Sequence, residues 1–196
     1  MIDITGKIYE KIKSIMDAWS EPDIYAISFF VYSNESYEYK DFSNVSSFAI
    51  SYNTESDCEG ADAYDEERWN YAFWRQDEQM IIDPDAPDEL IDLLYAWYKE
   101  NGIEDIGEED DNCYDEDFNY IGKGPVGHYE LLQIVSEVAK KLQTEGYIEA
   151  HFGKKLPIII HGLEYAWYDI EATKKANPSG EADIFIAAMQ DLGMIS

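Results

Sequence analysis

The run Ile24-Tyr25-Ala26-Ile27-Ser28-Phe29-Phe30-Val31-Tyr32 is apolar at nearly every position. A strand with one wet face would alternate, so this pattern predicts an interior strand covered on both sides. Working outward, Phe48, Ile50 and Tyr52 alternate with Ser47, Ala49 and Ser51, as a neighbouring strand with one less hydrophobic face would. Tyr37 and Tyr39 suit a short strand between the two. Leu156-Pro157-Ile158-Ile159-Ile160 repeats the doubly buried pattern. The aromatic block Arg68-Trp69-Asn70-Tyr71-Ala72-Phe73-Trp74-Arg75 reads as a third strand, with Met80-Ile81-Ile82 its end or a further one.

Helical spacing takes over elsewhere. Ile4, Ile8, Ile12, Ile15, Met16 and Trp19 predict an opening helix capped by Asp3 or Thr5. Leu90, Ile91, Leu94, Trp97 and Tyr98 stripe a second helix, opened by Pro87-Asp88-Glu89 and stopped at Asn101-Gly102. A long helix is expected from His128 to Glu145. Two more close the chain: one bears Leu163, Trp167 and Ile170 and ends at Asn177-Pro178, the other bears Ile184, Phe185, Ala188, Met189 and Leu192. No repeat or linker divides the sequence. The expectation is a single α+β domain over residues 1–196, a mainly antiparallel sheet of about four to six strands packed with about five helices.

Charge narrows the partners. The 196 residues carry 42 Asp plus Glu against 14 Lys plus Arg, a formal charge of −28. Nucleic acids and anionic membranes call for a basic face, so neither is an expected partner; a basic protein is. Disorder is excluded by the 45% hydrophobic and 15% aromatic content, which suffices for a packed core. No apolar run reaches the roughly 18 residues of a membrane span, and MIDITGKIYEKIK lacks the apolar core of a signal peptide, so a cytoplasmic location is expected. The acidity is regional: residues 20–122 hold 29 acidic and four basic residues. It peaks in two acid-rich loops, 55–67 and 104–117. Glu55, Asp57, Glu59 and Asp62 in the first, with Glu108, Glu109, Asp110, Asp111, Asp115 and Asp117 in the second, are the candidate partner-binding residues, forming one acidic face.

Catalytic and metal signatures are weak. Asp115-Glu116-Asp117-Phe118-Asn119 begins like a calcium loop, but Tyr120 and Val126 stand where the Gly and the bidentate Glu belong. His128, His151 and His161 have no zinc spacing, so structural or surface roles are expected and no metal site is assigned. Cys58 and Cys113 sit in acid-rich segments expected to be exposed, without CxxC spacing, and read as reduced, unreactive thiols. No nucleophile elbow or phosphate loop occurs, no catalytic residue is assigned and no cofactor is implied. Arg68 and Arg75, the only arginines, flank Trp69 and Trp74. An internal Arg–carboxylate fork that orders this block is favoured over a ligand-binding arginine. The alternative is a small-ligand or enzymatic pocket near Asn53, Glu55, Arg68, Trp69 and Trp74.

Several short pieces, in this order, resemble a known family: Ile24-Tyr25-Ala26-Ile27-Ser28, Asn53-Thr54-Glu55, Arg68 to Trp74, Phe152-Gly153-Lys154-Lys155-Leu156-Pro157, His161-Gly162-Leu163-Glu164-Tyr165 and Ala176-Asn177-Pro178. The chain is similar to the bacterial domain-of-unknown-function family numbered 4303. That resemblance implies a cytosolic bacterial protein of α+β fold and brings no catalytic residues; the acidic stretch 104–117 is not matched by it. In general character the chain also resembles the immunity proteins paired with bacterial toxins. The leading expectation is therefore a non-enzymatic, immunity-type inhibitor of a basic protein such as a toxin. A pocket protein comes second and a divalent-cation module third.

Overall fold

The computed structural model describes residues 2–109, 113–118 and 121–195. Among them, β1 (Ile24–Ser33) is central, as its two-sided hydrophobicity requires. It pairs antiparallel with β4 (Ser46–Thr54) and parallel with β6 (Ile158–His161); β5 (Gln79–Ile82) adds antiparallel to β4, giving the order β5-β4-β1-β6. The sheet is thus mainly antiparallel, as expected, with one parallel pairing that makes it mixed. Three helices lie between β5 and β6, and the connection returns the chain so that β6 runs alongside β1. A separate hairpin, β2 (Glu38–Tyr39) with β3 (Phe42–Ser43), stands where Tyr37 and Tyr39 suggested a short strand.

Seven α-helices surround the sheet among the described residues. In α1 (Ile4–Met16), the Asp3 carboxylate caps the first turn by accepting from Gly6 N–H at 2.8 Å, and Ile4, Ile8, Ile12 and Met16 are buried. With α3 (Glu89–Glu100) and α4 (His128–Thr144), it covers the face presenting Ile27, Phe29, Val31, Phe48, Ile50, Ile158 and Ile160. Each such aliphatic or aromatic burial contributes roughly 1.5–3 kcal/mol, so this face supplies most of the cohesion. The opposite face presents Tyr25, Phe30 and Ile159 to Trp69, Tyr71, Trp74 and α7 (Asp183–Asp191). A register shift between Ile24 and Ala26 switches the alternation. It leaves Ile24 on the first face and places Tyr25 and Ala26 on the second.

The block from Arg68 to Arg75 is not a strand. It forms α2 (Glu66–Trp69) followed by a 3-10 turn at Tyr71–Phe73. Asn70 is the cause: its Oδ1 accepts from Ala72 N–H at 3.0 Å and its Nδ2 donates to Glu66 Oε1 at 2.7 Å, replacing ladder bonds with local ones. A strand would set Trp69, Tyr71 and Phe73 on one face against Trp74; instead Trp69, Tyr71 and Trp74 are all buried in one cluster while Phe73 is exposed.

The short helix α5 (Tyr147–Phe152) had no clear sequence signal. Leu163, expected within a closing helix, precedes α6 (Trp167–Ala176) and is exposed. From α6, Thr173 Oγ1 accepts from Ile160 N–H at 2.9 Å and donates to Ile160 O at 3.0 Å. One turn on, Asn177 accepts from Ile158 N–H at 3.0 Å and donates to Ile158 O at 2.7 Å. These two side chains satisfy the outer edge of β6 as another strand would, and so close it to further pairing.

Candidate functional site

The residues expected around a pocket do converge, yet they consume one another. Tyr25 Oη donates to Arg68 O at 2.6 Å and accepts from Asn53 Nδ2 at 3.1 Å; Trp74 Nε1 donates to the same carbonyl at 2.9 Å. Asn53 Oδ1 accepts from Arg75 N–H, and Trp69 Nε1 donates to Ala63 O. Arg68 forks both Glu55 oxygens at 2.8 Å while its guanidinium stacks 4.1 Å from the Tyr25 ring. This is the internal fork the sequence favoured, and it holds Glu55 below the usual carboxylate range. Cys58 is buried against this cluster rather than exposed, and its burial pushes the thiol up. Cys113 is buried as well, donating to Gly124 O at 3.2 Å.

The acidic loops do not form one face. Loop 55–67 leaves β4 beside the start of β1, where Ile24 pairs with Thr54 and Glu55 N–H donates to Asp23 O. The second loop lies against Asn44, whose Nδ2 donates to Gly107 O, near the register pair Ser33–Ser46. Nine strand steps separate these ends, about 30 Å. The expected single surface is therefore two. In the first, Glu55 and Asp57 are exposed but engaged, Asp57 accepting from Thr54, whereas Glu59 and Asp62 are exposed beside Tyr64. In the second, Glu108, Glu109, Asp115 and Asp117 are exposed; Glu109 accepts from Tyr114 Oη and Asp115 from Asp117 N–H. Asp110, Asp111, Asn119 and Tyr120 lie outside the described residues.

Sequence reasoning missed a cleft of about 440 Å³ at the carboxyl ends of the two parallel strands, the position where open α/β sheets place ligands. It opens between Tyr32 and Ser33 of β1, Gly162 to Glu164 after β6, and the first turns of α4 and α6. His128 and Asp169 are its buried titratable groups. His128 Nδ1 lies 2.9 Å from Ser46 Oγ, and burial lowers the imidazole to about 4, so it is neutral at pH 7. Asp169 is 2% exposed; its Oδ2 accepts from Ala166 N–H at 3.1 Å, while Oδ1 has no hydrogen-bond partner. Burial outweighs the backbone donors and raises this carboxyl to about 7. The signal available in the sequence was Asp169 three residues into a helix after Ala166, but nothing local tells a capping carboxylate from a cleft-lining one.

A second buried pair lies under the aromatic face. His161 Nδ1 meets Gly162 O at 2.8 Å, so it carries the hydrogen, and Nε2 accepts from Ser28 Oγ at 2.8 Å. Phe30, Tyr71 and Trp74 enclose the ring, and burial lowers it to about 4. A Ser–His contact so enclosed has no approach for a substrate and serves as a core hydrogen bond.

Compared with known protein families, with curated proteins and with solved structures, the chain matches none. The family resemblance thus rests on the quoted residues alone. Among the described residues no three His, Cys, Asp or Glu converge to hold a metal, and no helix is long and apolar enough to cross a membrane.

Proposed function

We propose that this is a non-enzymatic binding protein that docks a basic protein, in the manner of an immunity-type inhibitor covering a cationic toxin. One observation carries the reading. Phe118 (87% exposed) and Tyr114 stand among the exposed carboxylates of Glu108, Glu109, Asp115 and Asp117, and Trp167, whose Nε1 donates to Ile121 O at the end of that segment, is exposed with Leu163 (73% exposed) and Glu164. Apolar anchors inside an acidic rim suit an interface in which burial supplies affinity and charge steers a cationic partner. The enzymatic alternative near Asn53, Arg68 and Trp74 gains less support, because those polar groups are spent on one another.

Affinity capture at low and high salt tests this, using wild type and an Asp115→Lys/Asp117→Lys variant. A basic partner held by wild type at low salt, and associating about tenfold more slowly with the variant, is the expected result. A partner that is acidic, or that binds both proteins at the same rate, overturns it.

A further inference from the structure

The cleft at the carboxyl ends of β1 and β6 has ionisable walls of one sign. Glu35, Glu109, Glu164 and Asp169 line it together with neutral His128, and no Lys or Arg does among the described residues. An anion is disfavoured twice. The carboxylates repel it, and the helix N-termini that would attract it are occupied, Gly127 N–H donating to Glu130 Oε2 and Ala166 N–H to Asp169 Oδ2. A metal ion needs several ligands converging at about 2.0–2.6 Å, and no such group exists among the described residues. An organic cation asks for something different: dispersed carboxylates, an aromatic face and a buried counter-charge. Tyr32 and Tyr168 line the cleft, and the buried Asp169, a carboxylate flanked by the backbone donors of Ala166 and Gly162, keeps an Oδ1 without a hydrogen-bond partner.

We infer that this cleft binds an alkylammonium or guanidinium group, with Asp169 Oδ1 as its buried acceptor. A free amine and a lysine or arginine side chain share that chemistry. That a protein supplies the group rests on the proposed function; the preference of the cleft for an organic cation does not.

The test is a ¹H–¹⁵N NMR titration of the full chain at pH 8, where Asp169 is ionised, with N-acetyl-arginine amide and 1,4-diaminobutane as probes and sodium chloride as the control. Saturable shifts at the amides of Gly162, Leu163, Ala166 and Asp169, absent with salt, are expected. Asp169→Asn keeps an acceptor for Ala166 N–H and should weaken binding about tenfold, the value of one charged contact. Should that variant fail to fold, the exposed pair Glu35→Gln/Glu164→Gln decides, with about threefold weakening expected. Shifts that follow ionic strength across both acidic loops, or affinities unchanged in the folded variants, overturn the inference. Saturation by both probes admits side chains; saturation by the diamine alone assigns the site to free amines. Probe binding in a protein that captures no basic partner leaves this inference standing and removes the proposed function. Capture of a basic partner without probe binding does the reverse.

Discussion

On one side of the sheet Ile27, Phe29, Val31, Phe48 and Ile50 meet helices α1, α3 and α4 through hydrocarbon alone; on the other Ser28, Ser51, Asn53 and His161 lie buried beneath Tyr25, Tyr71 and Trp74. The same strands build both. Hydrocarbon contacts are non-directional and tolerate small adjustments, whereas each buried polar atom on the second face requires a partner at a set distance and angle. The first face therefore dominates how much the fold is stabilised, and the second governs how it is specified. That division is open to measurement.

The largest effect is expected from the aliphatic face. Phe48 is fully buried and packs edge-on against Phe29 at 5.3 Å between centroids. Phe48→Ala should cost about 4 kcal/mol, transfer and cavity together, read as a lower urea midpoint with an unchanged slope. A cost below about 1 kcal/mol would mean that the face repacks freely and is not the source of cohesion.

Acidification comes next. His161 is lowered by burial from 6.5 to about 4, so the folded state binds its proton less readily than the unfolded chain. The stability this contributes is complete above pH 6.5 and is lost as pH falls to 4, about 3 kcal/mol in all. His128 behaves likewise. Asp169, raised from 3.8 to about 7, acts with the opposite sign: its contribution is complete below 3.8 and is lost as pH rises through 7. The wild type should lose stability between pH 6.5 and 4, His161→Phe should lose about 3 kcal/mol less over that range, and Asp169→Asn should lose more. Urea unfolding of the three proteins at pH 7 and 4.5 checks this; parallel pH profiles for wild type and His161→Phe would contradict a neutral, enclosed imidazole.

A single polar deletion on the second face follows in size. Asn53→Ala leaves Arg75 N–H without its acceptor and removes a donor to Tyr25 Oη, an expected cost of about 2 kcal/mol. Because Arg75 belongs to the segment after β4, and Tyr25 of β1 holds that segment through Arg68 O, amide exchange should accelerate at Arg68 to Arg75 well before it does in α1 or α4. Uniform acceleration would show that the two faces unfold as one.

How much of this was legible follows the same division. Strands β1, β4 and β6 and helices α1, α3 and α4 announce themselves because their burial is periodic, and a period is local information. The sheet is mainly antiparallel as expected, but the direction of β6 is not local information, so which pairing runs parallel could not be read. Trp69, Tyr71 and Trp74 carry strong strand propensity, yet Asn70 bonds its own neighbours and turns the chain, a case of local polar chemistry overriding propensity. The cysteines read as exposed because their neighbours are acidic; burial of Cys58 comes from Tyr25 and Trp69, distant in sequence. Asn53, Arg68 and Trp74 meet through Tyr25 and the Arg68 carbonyl, since their short separation limits where they can go. The cleft was invisible because Tyr32, His128 and Asp169 lie far apart along the chain and meet only through the parallel pairing of β1 with β6.

The smallest expected effect probes the rim of the second face. Arg68 makes a bidentate bond to Glu55 and stacks on Tyr25, but the Glu55 side chain is half exposed, so solvent screens the pair. Arg68→Lys keeps the charge and removes the fork and the planar stack. The expected cost is below about 1 kcal/mol, and it should shrink further at high salt as the remaining ion pair is screened in both proteins. The backbone carbonyl of residue 68, which accepts from Tyr25 and Trp74, is untouched by this substitution. A cost equal to that of Asn53→Ala would therefore locate the organising contact of the aromatic face in the guanidinium fork, and not in the buried carbonyl beneath it.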